Sequence, residues 1–293
     1  MFESDAEWMH ELAVPAVGCS AAGAQLIGVD ASTRENLLRV TLYHRRRWDM
    51  IRARIRLELQ AQAIIREFTH GDKEAASKLW ARIKKGGEGI PLSLLAWTEP
   101  FLIPIPQFME YQKGFERILA KSVRAMPGYA WVNSVSGVGD VSYAAVLAEL
   151  SGGEDKLYTP TDYRGPAAIW KRMGVGLVNR GTFTVPDPKE PTKTRVVTVI
   201  EHGRQRRIAG DEAIVHGFVA ERRSILWNIG KSIIMKQMLK GEPTGPYGQL
   251  YVQRRELERT KVESKAHAHA RAQRYVEKRF LTDLWKEWRR VAD

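Results

Sequence analysis

The string Ser136-Gly137-Val138-Gly139-Asp140 stands directly before SYAAVLAEL, a run of good helix formers. Two glycines let a backbone turn tightly with its N–H groups bare, and a helix that follows aims its positive end at the same point. A turn of this kind can hold a phosphate group, which makes Gly137 and Gly139 candidates for backbone contact with nucleic acid. The same junction also serves as plain architecture in many folds. A third glycine and a lysine are missing and no strand precedes the turn, so neither a dinucleotide site nor an NTP P-loop is indicated.

The second chemical signal is positive charge. The chain has 46 Lys and Arg against 34 Asp and Glu, a net of +12, and a pI near 9.8. Residues 203–293 alone hold 20 against 11. Each cation set against a phosphate releases a counterion, so an excess of this size fits a polyanionic partner. Two basic helices are expected at about 218–240 and 261–290. Arg222, Arg223, Lys231 and Lys236 mark the first, and Lys265, Arg271, Arg274, Lys278 and Arg279 the second. Arg164, Lys171, Arg172, Arg254 and Arg255 extend the set, and Trp227, Tyr247, Tyr251 and Tyr275 are aromatics able to stack on unpaired bases. A charge run is more often a solvated face, but here it coincides with aromatics. His267 and His269 lie two apart, on different faces of a helix, and suit phosphate or base contact better than a metal.

Signals for catalysis are missing. A two-metal nuclease needs several converging carboxylates, and Asp30 in LIGVD has no companion acidic motif after it. There is no His/Asn/His cluster, no GxSxG, and Cys19 is the single cysteine, so a disulfide framework and a cysteine zinc site are excluded. The expectation is a protein with no catalytic residues, no metal and no cofactor. The acidic start MFESDAEWMHEL lacks a basic n-region and an apolar h-region, and no apolar stretch reaches membrane-spanning length, so no membrane partner and a cytoplasmic location are expected.

These groups must be positioned by helices. Residues 1–31 contain a Gly/Ala-rich segment that reads as an arm. A long helix is expected from Ser32, with Trp48, Ile51, Ile55, Leu59 and Ala63 as its apolar seam. A second helix runs from Lys73 to Lys85 and stops at Gly86-Gly87, and Pro100, Pro104 and Pro106 break the chain again. Phe108, Tyr111, Phe115, Ile118 and Leu119 give another seam, so residues 32–126 read as a helical hairpin or coiled-coil region. Its seams suit internal packing, and a homodimer contact could share them. Pro127-Gly128 marks a boundary, after which residues 127–293 form a helical domain with residues 182–210 inserted as a β-hairpin. The fold class is all-α with a small β-hairpin insertion.

With those residues in hand, the glycine turn resembles the hairpin of helix–hairpin–helix modules. The C-terminal part, 127–290, resembles the Nop domain of box C/D ribonucleoprotein scaffolds: GVGDVSYAAVLAEL looks like its entry helix. ERRSILWNIGKSIIMKQMLKGEPTGPYGQLY looks like its basic helix and Pro-Tyr-Gly segment, and AHAHARAQRYVEKR stands where its closing RNA-binding helix lies. Residues 137–149 and MGVGLV are also similar to the C-terminal domain of bridge-RNA-guided transposases. That family's Gln-Ser-Gly nucleophile is unmatched, LVNRGT standing in its place. A chain sharing both likenesses resembles the Tas proteins of tandem interspaced guide RNA systems, of the nuclease-free type. The resemblance implies a coiled-coil arm before a Nop-like domain, a guide RNA of box C/D-like kind and complementary target DNA as partners, and no cleavage. The alternatives are a shortened RNA-guided transposase using Thr182 or Ser151 as nucleophile, and a guide-independent helix–hairpin–helix DNA-binding protein.

Overall fold

The computed structural model describes residues 31–87, 89–152, 157–178, 181–187, 190, 192–199, 203–204 and 219–292. Residues 1–30 of the expected N-terminal arm, with Cys19 and Asp30, lie outside the described residues. Helix α1 (Ala31–Phe68) is 38 residues long and is already helical at Ser32. Helix α2 (Lys73–Lys84) is capped by Asp72, whose carboxylate accepts from the Glu74 and Ala75 amides. Gly86 and Gly87, both at positive φ, follow its end. After α3 (Leu92–Leu102) and Pro104, α4 (Ile105–Val123) returns along α1.

Helix α1 is too long for one core, and this overturns part of the expected seam. Its first half sends Leu37 and Val40 into the main core beside Leu119 and Val123 of α4. Its end sends Ile65 into a satellite core with Ala76, Ile90 and Leu94. Between the two the expected seam is only partly covered: Ile55 is 43% exposed and Leu59 53%, Ala63 is also exposed, and Trp48 and Ile51 are half-buried. The buried stripe of the first half is partly polar, with Thr33, Thr41 and His44 alongside Leu37 and Val40. The α4 seam holds: Phe115 and Leu119 are buried, and Phe108, Tyr111 and Ile118 half-buried.

The main core continues across Pro127-Gly128. It joins α1 and α4 to α5 (Tyr129–Ser134), α6 (Asp140–Ser151), α8 (Ala220–Lys236), α9 (Pro246–Arg259) and α10 (Lys265–Ala292). Helix α10 supplies Ala268, Ala272, Val276, Phe280, Leu284 and Trp288, an i, i+4 stripe with no exposure. The Trp288 indole N–H donates to the Tyr143 hydroxyl at 2.9 Å, which donates to the Pro127 carbonyl at 2.5 Å. A short 3-10 turn (Pro160–Asp162) and α7 (Pro166–Arg172) cover α10.

The insertion is a hairpin, as expected. Strand β2 (Gly181–Pro186) pairs antiparallel with β3 (Thr194–Val199), Gly181 opposite Val199. Strands β1 (Leu177–Val178) and β4 (Gly203–Arg204) extend the pairing. A third antiparallel pair, β5 (Met238–Leu239) with β6 (Glu242–Pro243), fills the break between α8 and α9. The chain is all-α with small β-hairpins. No described helix is long and apolar enough to cross a membrane.

The glycine turn before α6 is where packing is tightest. Gly137 has φ of 101°, and a Cβ there would sit 2.6 Å from Ile233 Cα and 2.7 Å from the Ser232 carbonyl oxygen on α8. Gly139 has ordinary φ, and nothing lies within 4 Å of a Cβ built on it. Gly137→Ala should therefore destabilise the fold by about 2 kcal/mol through overpacking and backbone strain, while Gly139→Ala leaves the melting temperature within a degree or so. Equal melting temperatures for the two variants by circular dichroism would mean that the turn does not pack on α8.

Candidate nucleic-acid interface

The site is built around Gln237, the last residue before the short β5–β6 hairpin and a residue that sequence reasoning passed over. Its side chain is buried. Its amide oxygen accepts from the Tyr247 N–H at 2.9 Å and the Gly248 N–H at 3.3 Å, capping the start of α9 from outside. Its amide nitrogen donates to the Ser136 carbonyl at 3.1 Å, and its own carbonyl accepts from the Thr244 N–H at 2.9 Å. A Cβ at position 248 would collide with that carbonyl, which explains the glycine of Pro246-Tyr247-Gly248. One buried amide thus ties the glycine turn, the end of α8 and the start of α9 together.

That junction contradicts two expected roles. Tyr247, 6% exposed, donates to Asp283 Oδ2 at 3.0 Å, and Arg279 Nε donates to the same oxygen at 2.9 Å. Burial beside the Asp283 carboxylate pushes the Tyr247 phenol above its ordinary range. Tyr251, 5% exposed, meets His269 Nδ1 at 2.7 Å. Neither tyrosine can stack on a base, because both rings belong to the core. Gly137 is likewise a packing residue rather than an open cradle. The α6 N-terminus next to it holds its own carboxylate: Asp140 accepts from Arg124 at 2.9 Å and from the Tyr129 hydroxyl at 2.9 Å.

Several arginines expected at phosphate are committed inside the fold. Arg222 Nε pairs with Glu149 Oε2 at 2.9 Å, and Arg172 Nε donates to the Glu149 carbonyl at 2.9 Å. His44 Nε2 lies 3.4 Å from Glu149 Oε1, inside ion-pair range but outside hydrogen-bond geometry. Burial alone would raise the Glu149 carboxyl, yet His44 and Arg222 together hold it below the ordinary range. Arg172 is lowered by burial and by Arg222. Arg223 pairs at 2.7 Å with Glu277, a fully buried carboxylate pushed up by desolvation. Gly230 makes room for it, since a Cβ there would meet Glu277 Cγ at 2.7 Å. Arg254 and Arg271 share the buried Glu258 at 2.5 Å and 3.0 Å. Burial works against that carboxyl's charge, but the two guanidiniums outweigh it and lower its pKa.

The cations left at the surface are mostly lysines. Arg164, Lys171, Lys231, Lys236, Lys265 and His267 are exposed and have no ion-pair partner among the described residues. On α8, Ser224, Trp227, Asn228, Lys231 and Met235 form the stripe opposite the buried one, with Trp227 38% exposed. Arg223 lies over the Trp227 ring at 5.7 Å. A second basic and aromatic surface joins α7 to α10. There Lys278 sits 4.9 Å over Trp170 and Arg289 4.7 Å over Trp285, next to Lys171 and half-buried Arg274. Arg255 lies 5.3 Å from the Tyr251 ring and Arg254 4.8 Å from that of Tyr275, at the α9–α10 contact.

Beside the Gln237 junction a cleft of about 480 Å³ opens, lined by Trp131, Ser134, Ser136, Lys236, Thr244, Pro246, Leu250 and Arg279 among others. Ser151, one candidate nucleophile, is buried, with its hydroxyl 2.7 Å from Thr41 Oγ1 and donating to the Ala148 carbonyl at 2.8 Å. It cannot reach a substrate. Thr182 lies exposed in β2, paired with Thr198. Among the described residues no group of His, Cys, Asp and Glu is placed to share a metal ion. The positive charge is also spread further than the C-terminal count suggests. Residues 31–126 hold 18 Lys and Arg against 10 Asp and Glu, and the five acids and no cations of residues 1–30 mask this in the total.

The ion pairs give the fold a defined acid response. Glu149 and Glu258 have carboxyls lowered from the ordinary 4.5. Their contribution is complete above that value and is lost as pH falls through the lowered folded-state values. Denaturation followed by circular dichroism should show stability falling below about pH 4.5, and Glu149→Gln should flatten that limb. Arg222→Ala should cost about 1–3 kcal/mol at neutral pH, because it strands a largely buried carboxylate. An unchanged melting curve for Arg222→Ala would make that arginine a surface group instead.

No protein-family model, curated protein or solved structure matches this chain.

Proposed function

We propose that this chain is an RNA-binding scaffold that grips a guide RNA by its backbone, forms a ribonucleoprotein and brings it to complementary DNA without cutting. The supporting observation is the set of exposed cations with no ion-pair partner among the described residues. Lys231 and Lys236 stand on α8, Lys265 on α10, and Arg164 and Lys171 before and on α7. They share these elements with the exposed indole of Trp227 and the Trp170–Lys278 pair. Lysines of this kind are point charges that meet phosphate without reading sequence, so sequence choice falls to base pairing by the guide. The guide-directed part of the reading rests on the resemblance to Nop-domain scaffolds and Tas proteins. The backbone-binding part rests on the charge.

Protein purified gently at low salt should carry a discrete short RNA, recoverable and sequenceable. Lys231→Ala with Lys265→Ala should lower the slope of log affinity against log salt by about 0.7–0.9 per lost contact, whatever the RNA sequence. With guide and Mg²⁺, complementary DNA should be bound and recovered intact. A preparation free of nucleic acid that also fails to bind structured RNA would sink the proposal. Cleavage that persists after trace nuclease is removed would turn the scaffold into an enzyme.

A further inference from the structure

The cleft beside Gln237 lies at the end of the exposed α8 stripe, where Lys236 forms part of its lining. Its volume of about 480 Å³ falls within the roughly 300–1,000 Å³ of small-ligand sites. Its walls are chemically mixed. Trp131, Val135, Pro246 and Leu250 are apolar, Ser134, Ser136 and Thr244 bring hydroxyls, and Lys236 brings positive charge, whereas Arg279 is paired with Asp283. Trp131 is half-buried and stacked on Phe280, centroids 5.8 Å apart at 20°, and also lines the cleft. The shape is also held open. Gln237 fixes the glycine turn to the start of α9, and Tyr247 and Arg279 both donate to Asp283 Oδ2. Those donors leave Asp283 Oδ1 as an acceptor in the lining.

We propose that this cleft receives a single unpaired nucleotide of the bound RNA, with its base against Trp131 and the Pro246–Leu250 wall and its phosphate at Lys236, the lining cation with no ion-pair partner among the described residues. A flat ring, hydrogen-bonding edges and an anion in one unit match the three kinds of wall. Continuity between Lys236 and the Lys231–Met235 stripe leads the flanking backbone to the mouth. The inference rests on the RNA-binding reading and adds to it a preference for RNA with a splayed-out residue, since a fully paired helix offers no base to insert.

The test compares two RNA hairpins that differ only in one bulged nucleotide, with affinities measured by fluorescence polarisation. Wild type should favour the bulged hairpin by about tenfold, the scale of one base stacked on an aromatic ring. A 4-thiouridine at the bulge should crosslink to peptides containing Trp131 or Leu250. Thr244→Trp, which fills the cleft from its edge, should bring the preference to within twofold, as should Lys236→Ala, which removes the charge without adding bulk; circular dichroism checks that each folds. Equal wild-type affinity for the two hairpins, or a preference that survives both substitutions, overturns the nucleotide cleft and leaves backbone binding standing. Failure to bind either hairpin overturns the RNA reading itself.

Discussion

The carboxamide of Gln237 is the constraint on which this site depends. Without it, two amides at the start of α9 would lie buried without partners, and the Ser136 carbonyl would lose its tie to α8. Each unsatisfied buried group costs about 1–3 kcal/mol. The close approach it enforces dictates the residues around it. Gly248 clears its carbonyl and Gly137 clears the backbone of α8 one turn earlier. The glycines that look like a phosphate turn and a signature tripeptide are therefore explained first by contact between backbones. Any ligand role belongs to the cleft that this contact leaves open.

Charge in this chain divides by whether it is already spent. An arginine paired with a buried carboxylate is neutral at a distance, and pulling it onto a phosphate would strand that carboxylate in a dry site. Glu277 has no exposure and Glu258 almost none, so Arg223, Arg254 and Arg271 are held by strong local opposition. Exposed lysines carry no such debt. The field that a polyanion meets is set by them and by Arg164. Net charge located the kind of partner. Pairing decides which residues can touch it.

Much of the fold was legible in the sequence, and the failures are instructive. The β-branched hairpin, the α4 seam and the two basic helices announce themselves by period and composition. The α1 seam did not, because a helix spanning two cores changes its buried face along its length, and Thr41 and His44 in the main-core stripe are polar. Thr41 is buried because Ser151, 110 residues later, meets its hydroxyl, a pairing no local pattern records. Tyr247 and Tyr251 were misread for a related reason. A tyrosine near arginines looks the same in sequence whether its ring faces solvent or lies under a helix, and only the Asp283 and His269 partners decide it.

The cleft was illegible for a deeper reason. Its lining comes from residues 131–136, 236–237, 244–250 and 279–283, four short segments whose neighbours in sequence are mostly core or ordinary surface. Lys236, Tyr247, Arg279 and the Pro-Tyr-Gly segment stand out in the sequence, but nothing local links them to one another or to Trp131 and Thr244. What joins them is α10, whose Phe280 supports Trp131 while Asp283, less than one turn on, receives Tyr247 and Arg279. A helix with a fully buried i, i+4 stripe cannot shift along its axis without breaking every contact at once. The apolar stripe that looks like mere core therefore sets the register at which the polar residues beside it meet their partners. Position in the cleft is thus inherited from packing, and the chemistry at its walls is as rigid as the core beneath it.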